Sequence, residues 1–386
     1  MPKKIPHVAL MMQVEATHGR GIMRGIIQYT HTYGHWDVYS DQGIPIITLD
    51  KLTEWQGDGI IANIGSEEQL AIINSKGIPV INVSNTLPKV DLPSVVHDEE
   101  AIGMLGAEHF LERGFRYFAF CGDLHFAWSI SRRHGFEKAV KKAGYKCESY
   151  RKFNRRIKKR RSWQVEEGVV SRWLEQLPLP VGLMVCHDTR GRHIIELCEE
   201  KGLLVPDEVA VLGVDNDELL TQLPYPPLSS IIPASERIGY EAARMLNRLM
   251  AGKKLSSTRI IIKPNDIATR QSTSVIPTDD REVAQAVRFI REHASEPIWV
   301  PDVLAKVAIP RRTLERRFRA ALGRSMTEEI IRTRIERAKM LLRETNLIVA
   351  KIALQSGYTT VEQLYRAFQK KVGISPGVFR AQLQNK

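Results

Sequence analysis

The run Ile309-Pro-Arg-Arg-Thr-Leu-Glu-Arg-Arg-Phe-Arg-Ala-Ala-Leu322 sets Leu314, Phe318 and Leu322 at i, i+4 and i+8, one apolar stripe along a helix. The other side of that helix carries Arg311, Arg312, Glu315, Arg316 and Arg319. Ahead of it, residues 303–308 make a short helix and Ile309-Pro310 a turn. The unit therefore reads as a helix-turn-helix whose second helix has an apolar back and a guanidinium front. Guanidinium forks donate in pairs to guanine edges and to phosphate, so these five side chains are predicted to meet duplex DNA.

A second unit follows. Residues 352–358, Ile-Ala-Leu-Gln-Ser-Gly-Tyr, form a helix with a glycine stop. Thr360 opens the next helix, with Gln363 spaced for a capping box. Leu364 and Phe368 face inward, while Val361, Glu362, Tyr365 and Arg366 form a second DNA-facing set with fewer cations. Between the units, residues 327–344 form a helix that buries Ile331, Ile335, Ala338 and Leu342. At about 1.5 Å per residue it is a rod of about 27 Å. That is near the roughly 34 Å between successive major-groove faces on one side of B-DNA, so one chain can read two consecutive groove segments.

Charge agrees with this reading. From Asp280 to the end there are 21 basic and 11 acidic residues, which accounts for +10 of the formal +12 of the chain. A further run, Arg151, Lys152, Arg155, Arg156, Lys158, Lys159, Arg160 and Arg161, contains no acid; it is either a solvated loop or an added phosphate contact.

Upstream of residue 275 the period changes. Short apolar runs at 8–14, 59–62, 79–83, 117–122, 182–186 and 210–214 alternate with amphipathic stretches at 21–32, 101–113, 133–143, 190–201 and 236–251. This is the pattern of an α/β domain with parallel strands, whose ligands sit at the strand carboxyl ends. Residues 273–280, with Pro277 among short polar residues, make a linker. The expected organisation is a two-lobed α/β sensor domain, 1–276, followed by an all-α double helix-turn-helix domain, 277–386.

Several classes are excluded by composition. No apolar run approaches the roughly 20 residues that cross a bilayer, and the start, Met1-Pro-Lys-Lys-Ile-Pro-His7, has no long apolar stretch. A cytoplasmic protein with no membrane partner is expected. Cys121, Cys147, Cys186 and Cys198 contain no C-x-x-C pair and read as buried thiols. Histidines 97, 109, 125, 134, 187 and 193 show no metal-ligand spacing, so neither a metal nor a cofactor is expected. Two strings suggest an enzyme. Gly19-Arg-Gly21-x-x-x-Gly25, ahead of Asp41, resembles a dinucleotide fingerprint, but Glu15–His18 intervene where the phosphate turn should be tight. Gly373-x-Ser375-x-Gly377 matches a nucleophile elbow, but a helix precedes it; Ser375 reads instead as an N-cap with Pro376 as the first helical residue.

The last hundred or so residues resemble the AraC/XylS family of transcription regulators. The matching residues are Arg334-x-x-x-Ala338-x-x-Leu341-Leu342, Ile352-Ala353-x-x-x-Gly357-Tyr358 and Phe368-x-Lys370-x-x-Gly373-Ile-Ser375-Pro376-x-x-Phe379-Arg380. Pro310 and Gln363-Leu364 depart from the usual family residues. The upstream domain is similar to the periplasmic-binding-protein-like sensor of LacI/GalR regulators, through Trp36-Asp-Val, Gly57-Asp58-Gly59-Ile-Ile-Ala62 and Val211-Leu-Gly-Val-Asp215-Asn216-Asp-Glu-Leu219. A sensor placed before an AraC-type reader resembles the bacterial xylose-operon regulators.

This resemblance implies a non-enzymatic regulator that binds D-xylose or a related sugar and operator DNA, acts as a homodimer activating xylose catabolic genes, and contacts RNA polymerase. A different sugar, or a sugar- or NAD-linked enzyme fused to a DNA-binding domain, are the rival readings. In the same resemblance Arg132, in Ser131-Arg-Arg-His-Gly135, corresponds to a sugar-binding arginine and Asp215 to a ligand carboxylate. Asp188 follows the strand at 182–186, Trp128 can stack on a pyranose face, and Asn82 and Gln13 complete the candidate set. Carboxylates accept from sugar hydroxyls while a guanidinium donates back.

Overall fold

The computed structural model describes residues 5–40, 43, 46–150, 163–274 and 280–384. The chain divides into two compact units, Met1–Val275 and Ile276–Lys386. Asp41, the basic run at 151–161 and Pro277 lie outside the described residues.

In the first unit the strands are β1 (His7–Met11), β2 (Asp37–Val38), β3 (Gly59–Ala62), β4 (Val80–Asn82), β5 (Ser94–His97), β6 (Tyr117–Cys121), β7 (Cys147–Ser149), β8 (Val181–Val185), β9 (Val209–Val214), β10 (Ser229–Ile232), β11 (Arg259–Ile262) and β12 (Asp266–Ala268). They form two sheets, ordered β11-β5-β4-β3-β1-β2 and β12-β10-β9-β8-β6-β7. Every pairing is parallel except β10 with β12. The helices are α1 (Thr17–Tyr33), α2 (Leu49–Glu54), α3 (Glu67–Ser75), α4 (Glu99–Leu111), α5 (Ala127–Lys142), α6 (Trp163–Leu174), α7 (Asp188–Glu200) and α8 (Ser235–Met250). Because α4 packs on α5 and the second sheet while α8 packs on α1 and the first, the chain crosses between the lobes three times. The crossings are β5 to α4, β10 to α8 and β11 to β12. In each sheet the strand order reverses once, at β1/β3 and at β6/β8. Open parallel sheets leave a ligand crevice at such a reversal, on the carboxyl side.

Glycines set how closely these helices approach. A Cβ at Gly25 of α1 would lie 1.8 Å from the Glu236 carbonyl oxygen of α8, and one at Gly239 would lie 1.9 Å from that of Ile22. Gly21 and Gly25 of the glycine string therefore pack α1 on α8, while a Cβ at Gly19 would lie 1.8 Å from the Gln13 carbonyl oxygen.

The second unit contains α9 (Arg281–Glu292), α10 (Val300–Lys306), α11 (Arg311–Leu322), α12 (Met326–Glu344), α13 (Val349–Gln355), α14 (Val361–Val372) and α15 (Pro376–Gln384). It has two cores. Met326 and Ile330, early in α12, join Leu314, Phe318 and Leu322. Ile335, Ala338 and Leu342, later in the same helix, join Leu364 and Phe368. One long helix thus serves as a wall of both helix-turn-helix units. Ser375 caps α15, its Oγ accepting from the Val378 N–H at 3.3 Å, so the nucleophile-elbow string is a helix start.

Candidate functional site

The carboxyl ends of β8 and β9 meet Arg132, through Cys186 and Asp215. Gly103 of α4 and Gly135 of α5 bring those helices to backbone contact, since a Cβ at either would lie 1.9 Å and 2.1 Å from the carbonyl oxygens of Arg132 and Glu100. That approach seats Arg132 against Glu99 at the start of α4. Arg132 is buried, donates Nε to Glu99 Oε2 at 2.7 Å and Nη1 to the Cys186 carbonyl at 2.6 Å, and lies 4.9 Å over the Trp128 ring. Burial opposes its charge, but Glu99 and Asp215 outweigh that and raise its pKa. Nη2 takes part in neither bond.

Asp215 stands at the end of β9 with φ +106°, a left-handed conformation that side chains other than glycine's rarely adopt. No hydrogen bond among the described residues engages its carboxylate, which is half-buried; burial raises its pKa while Arg132 and His187 draw it down. Trp128, also half-buried, stacks on Phe126 with ring centroids 5.4 Å apart and tilts toward His187 at 6.1 Å. Gln13 is exposed in the loop after β1, in the other lobe.

Two more of the candidate residues are hydrogen-bonded within the protein. Asp188 is buried with both oxygens engaged, Oδ1 by the Ser230 hydroxyl at 2.6 Å and Oδ2 by the Asp217 N–H at 2.8 Å. It braces the loop carrying Asp215. Asn82 is buried too, donating to the Ser84 carbonyl at 2.9 Å and accepting from the Ser84 N–H at 3.1 Å, which closes the turn after β4. A polar residue just after a strand looks the same in sequence whether it points into a crevice or turns back on its own loop.

Other groups at the crevice carried no sequence signal of their role. Glu99 reads as one acid of an N-terminal helical turn, yet its Oε1 also accepts from Asn85 Nδ2 at 3.3 Å. A cavity of about 320 Å³ runs from Asn82 and Asn85 to Glu99, Ala127 and Ser131, and so reaches the Arg132 ion pair from the β4–β5 side. Asp217 links the lobes: Thr17 donates its hydroxyl to Oδ2, and Arg20 Nη2 lies 3.2 Å from the same oxygen. Burial would raise Asp217, but the Thr17 hydroxyl, the Leu220 and Leu219 amides and Arg20 together hold it below the ordinary carboxylate range. Among the described residues no cluster of His, Cys, Asp and Glu is placed to hold a metal.

In the second unit α11 exposes Arg311, Arg312, Glu315, Arg316 and Arg319 along one side, with Arg311 Nε 2.8 Å from Glu315 Oε1. The neighbouring Arg317 turns away, its guanidinium 2.5 and 2.7 Å from the Asp280 carboxylate and 2.7 Å from Glu282. It fixes α11 to the first turn of α9. On α14, Glu362, Tyr365 and Arg366 are exposed, whereas Val361 is half-buried against the core, less outward than expected. The Thr360–Gln363 box is also half formed. Thr360 Oγ1 accepts from the Gln363 N–H at 3.3 Å, but Gln363 Oε1 takes the Thr359 hydroxyl and amide instead.

Family comparisons parse the chain in the same order: a XylR N-terminal domain matches residues 7–97, a periplasmic binding protein-like domain residues 107–273, and a helix-turn-helix domain residues 303–382. Over nearly its whole length the chain is 30% identical to the xylose operon regulatory protein of Haemophilus influenzae, covering 98% of this chain and 99% of that one. The chain belongs to the xylose operon regulatory protein family. The Escherichia coli K12 member is 28% identical over 97% of this chain and 96% of its own. Among solved structures, a xylose-binding transcription activator, XylR, superposes with a TM-score of 0.78 at 27% identity, covering 99% of both chains. The sensor unit alone shares its fold with the regulator CcpA of Lactococcus lactis, at 20% identity and a TM-score of 0.56.

In this xylose operon regulator the residues that carry the AraC/XylS resemblance join the two reading units together. Arg334 is buried and donates Nη2 to the carbonyls of Ile298 at 2.7 Å and Glu296 at 3.1 Å, between the Trp299 and Tyr358 rings. Gly357, at φ +76°, leaves no room for a Cβ, which would lie 2.6 Å from the carbonyl oxygens of Ala294 and Glu296. The turn of the second unit is thereby pressed onto the first. The spacing of α11 and α14 follows from this contact and from the shared α12.

Proposed function

We propose that this regulator responds to D-xylose: the sugar is held between the two lobes, and the double helix-turn-helix domain binds operator DNA to activate xylose catabolic genes. The observation that carries the sugar site is the open pair at the crevice, the Asp215 carboxylate and Arg132 Nη2, beside the Trp128 ring. Xylose offers vicinal hydroxyls that can donate to Asp215 and accept from Arg132 together, while an apolar pyranose face rests on an indole. Asp215 lies two residues from Asp217, which meets Thr17 and Arg20 of the other lobe, so a ligand that fixes the 215–217 loop favours lobe closure. Closure is driven only by the difference in sugar affinity between open and closed lobes. In this reading the protein is a cytoplasmic homodimer that contacts RNA polymerase and has no catalytic role.

Calorimetric titration against D-xylose, other pentoses, hexoses and NAD tests the sensor, and footprinting on the promoter of a xylose catabolic operon with and without sugar tests the reader. Heat with xylose and a sugar-dependent footprint are expected. Binding of a different sugar with no xylose heat refutes the specificity, and binding of NAD favours an enzymatic role.

A further inference from the structure

We propose that the two recognition helices read chemically different base edges: α11 takes guanine through Arg312 and Arg316, and α14 takes cytosine through Glu362 beside an aromatic contact to thymine from Tyr365. The inference rests on the operator-binding reading above and names what each half of that reader recognises.

The two units repeat in register. α11 begins at Arg311 and α14 at Val361, fifty residues on, and both have twelve residues. At that offset Leu314 meets Leu364, Phe318 meets Phe368 and Leu322 meets Val372, the inward stripe of each. Gly323 and Gly373 both end their helices at positive φ, +68° and +84°, and Ser325 and Ser375 both start the next helix. Side-chain positions therefore correspond one to one, and the first turns of the two helices present equivalent places to the groove.

At those places the chemistry differs. Arg312 stands where Glu362 stands, Glu315 where Tyr365 stands and Arg319 where Gln369 stands, and all six are exposed. Arg316 and Arg366 are the groove-facing pair that is alike. A guanidinium donates to guanine O6 and N7, whereas a carboxylate accepts from the cytosine N4 amine and is repelled by guanine's two acceptors. The Glu362 carboxylate is kept ionised by its own backbone amide and the Thr360 hydroxyl, as an acceptor requires. Tyr365, 40% exposed, offers an aromatic surface to the thymine methyl where the other unit has a carboxylate. α14 regains cations further along, Lys370 and Lys371 in place of Ala320 and Ala321, where they suit phosphate rather than base edges. Two copies of one reader that kept their packing and changed their groove face demand an operator half-site whose two segments, about one helical turn apart, are unlike.

Selection of full-length protein with D-xylose on a randomised duplex library, repeated with Glu362→Gln, tests this. The wild-type chain is expected to recover two unlike segments. Glu362→Gln should change one position in one segment from cytosine to adenine, because a glutamine amide pairs with adenine N6 and N7, with discrimination of about 5- to 150-fold. Arg312→Ala should relax a guanine in the other segment and leave the cytosine alone. A structural loss would lower affinity without exchanging one base for another. Two identical guanine-bearing segments, or a base preference unmoved by Glu362→Gln, overturn the inference and leave operator binding intact; recovery of no preferred sequence overturns both.

Discussion

Replacing Asp215 by glycine separates the carboxylate's service to the sugar from any service to the fold. At φ +106° an aspartate is strained, and residues held in such conformations cost about 1–3 kcal/mol. Glycine adopts the same backbone freely, at an entropic cost of about 0.5–1 kcal/mol from its looser unfolded state. The substitution also removes a carboxyl whose pKa burial has raised, a group that weakens the native state when ionised. Asp215→Gly should therefore melt at or above the temperature of the parent chain. Sugar binding should fall, because a charge-assisted hydrogen bond is worth about 1.5–3 kcal/mol, or a rise in Kd of about 10- to 150-fold. Calorimetric titration with D-xylose reads the affinity and a thermal melt without sugar reads the fold. An unchanged Kd in a variant that melts normally would refute the assignment of Asp215 as a ligand, and a lowered melting temperature would refute the argument from strain.

Three further outcomes follow from the packing and the buried charges. His18 and His97, 3.2 Å apart, are both pushed down to about 3, first by burial and then by each other or by Arg132. Since the unfolded chain protonates them near pH 6.5 and the native chain does not, stability should fall as pH drops from about 6.5 toward 3, by up to about 1.4 kcal/mol per pH unit for each histidine. His97→Gln should flatten the slope of urea midpoints measured at pH 7, 6 and 5; parallel slopes would count against the neutral pair. Gly25→Ala puts a Cβ 1.8 Å from the Glu236 carbonyl and should cost about 3 kcal/mol in urea unfolding, whereas Gly114→Ala, with open space around it, should show only the strain of its positive φ. Glu329, fully buried between Arg324 at 2.5 Å and Arg332 at 2.6 Å, holds the start of α12. Glu329→Gln should lower stability by about 3 kcal/mol, the low end for a broken buried pair because both arginines are part-exposed; scanning calorimetry of the full chain would show it as a weakened transition.

What the sequence displayed and what it hid follow one physical line. Periodicity reports burial, so α11, with Leu314, Phe318 and Leu322 fully inside, is legible to the residue, as is β3, whose four residues are all buried. β10 was not legible because Ser229 and Ser230 occupy positions a sheet interior normally gives to aliphatics. Those serines are satisfied by residues far along the chain, Ser229 through the Arg270 carbonyl at 3.0 Å and Ser230 through Asp188. β2 and β7, of two and three residues, are too short to carry a period. The crevice shows the same limit. Arg132 and Asp215 could be placed by motif, but Glu99, which holds Arg132, and Asp217, which joins the lobes, look like ordinary helix-start and loop acids. The engagement of Asp188 and Asn82 was hidden for the converse reason: their partners, Asp217 and Ser230 for one and Ser84 for the other, become visible only when the loops are folded.

The 215–217 loop is where these facts combine into a mechanism. Three carboxylates meet there: Asp188 holds the loop from beneath, Asp217 faces Thr17 and Arg20 of the opposite lobe, and Asp215 makes no hydrogen bond among the described residues, as the proposed sugar site requires. The ion pair between the lobes, Arg20 with Asp217, is weak. Arg20 is 42% exposed, so solvent screens it to about 1 kcal/mol or less, a factor of about five in the balance of open and closed lobes. An ion pair that weak adds little to what the Thr17 hydroxyl already gives the same carboxylate. With the sugar held between the lobes as proposed, its bonds to both at once supply the bias toward closure, which is the condition for a sensor that reports concentration instead of remaining in one state.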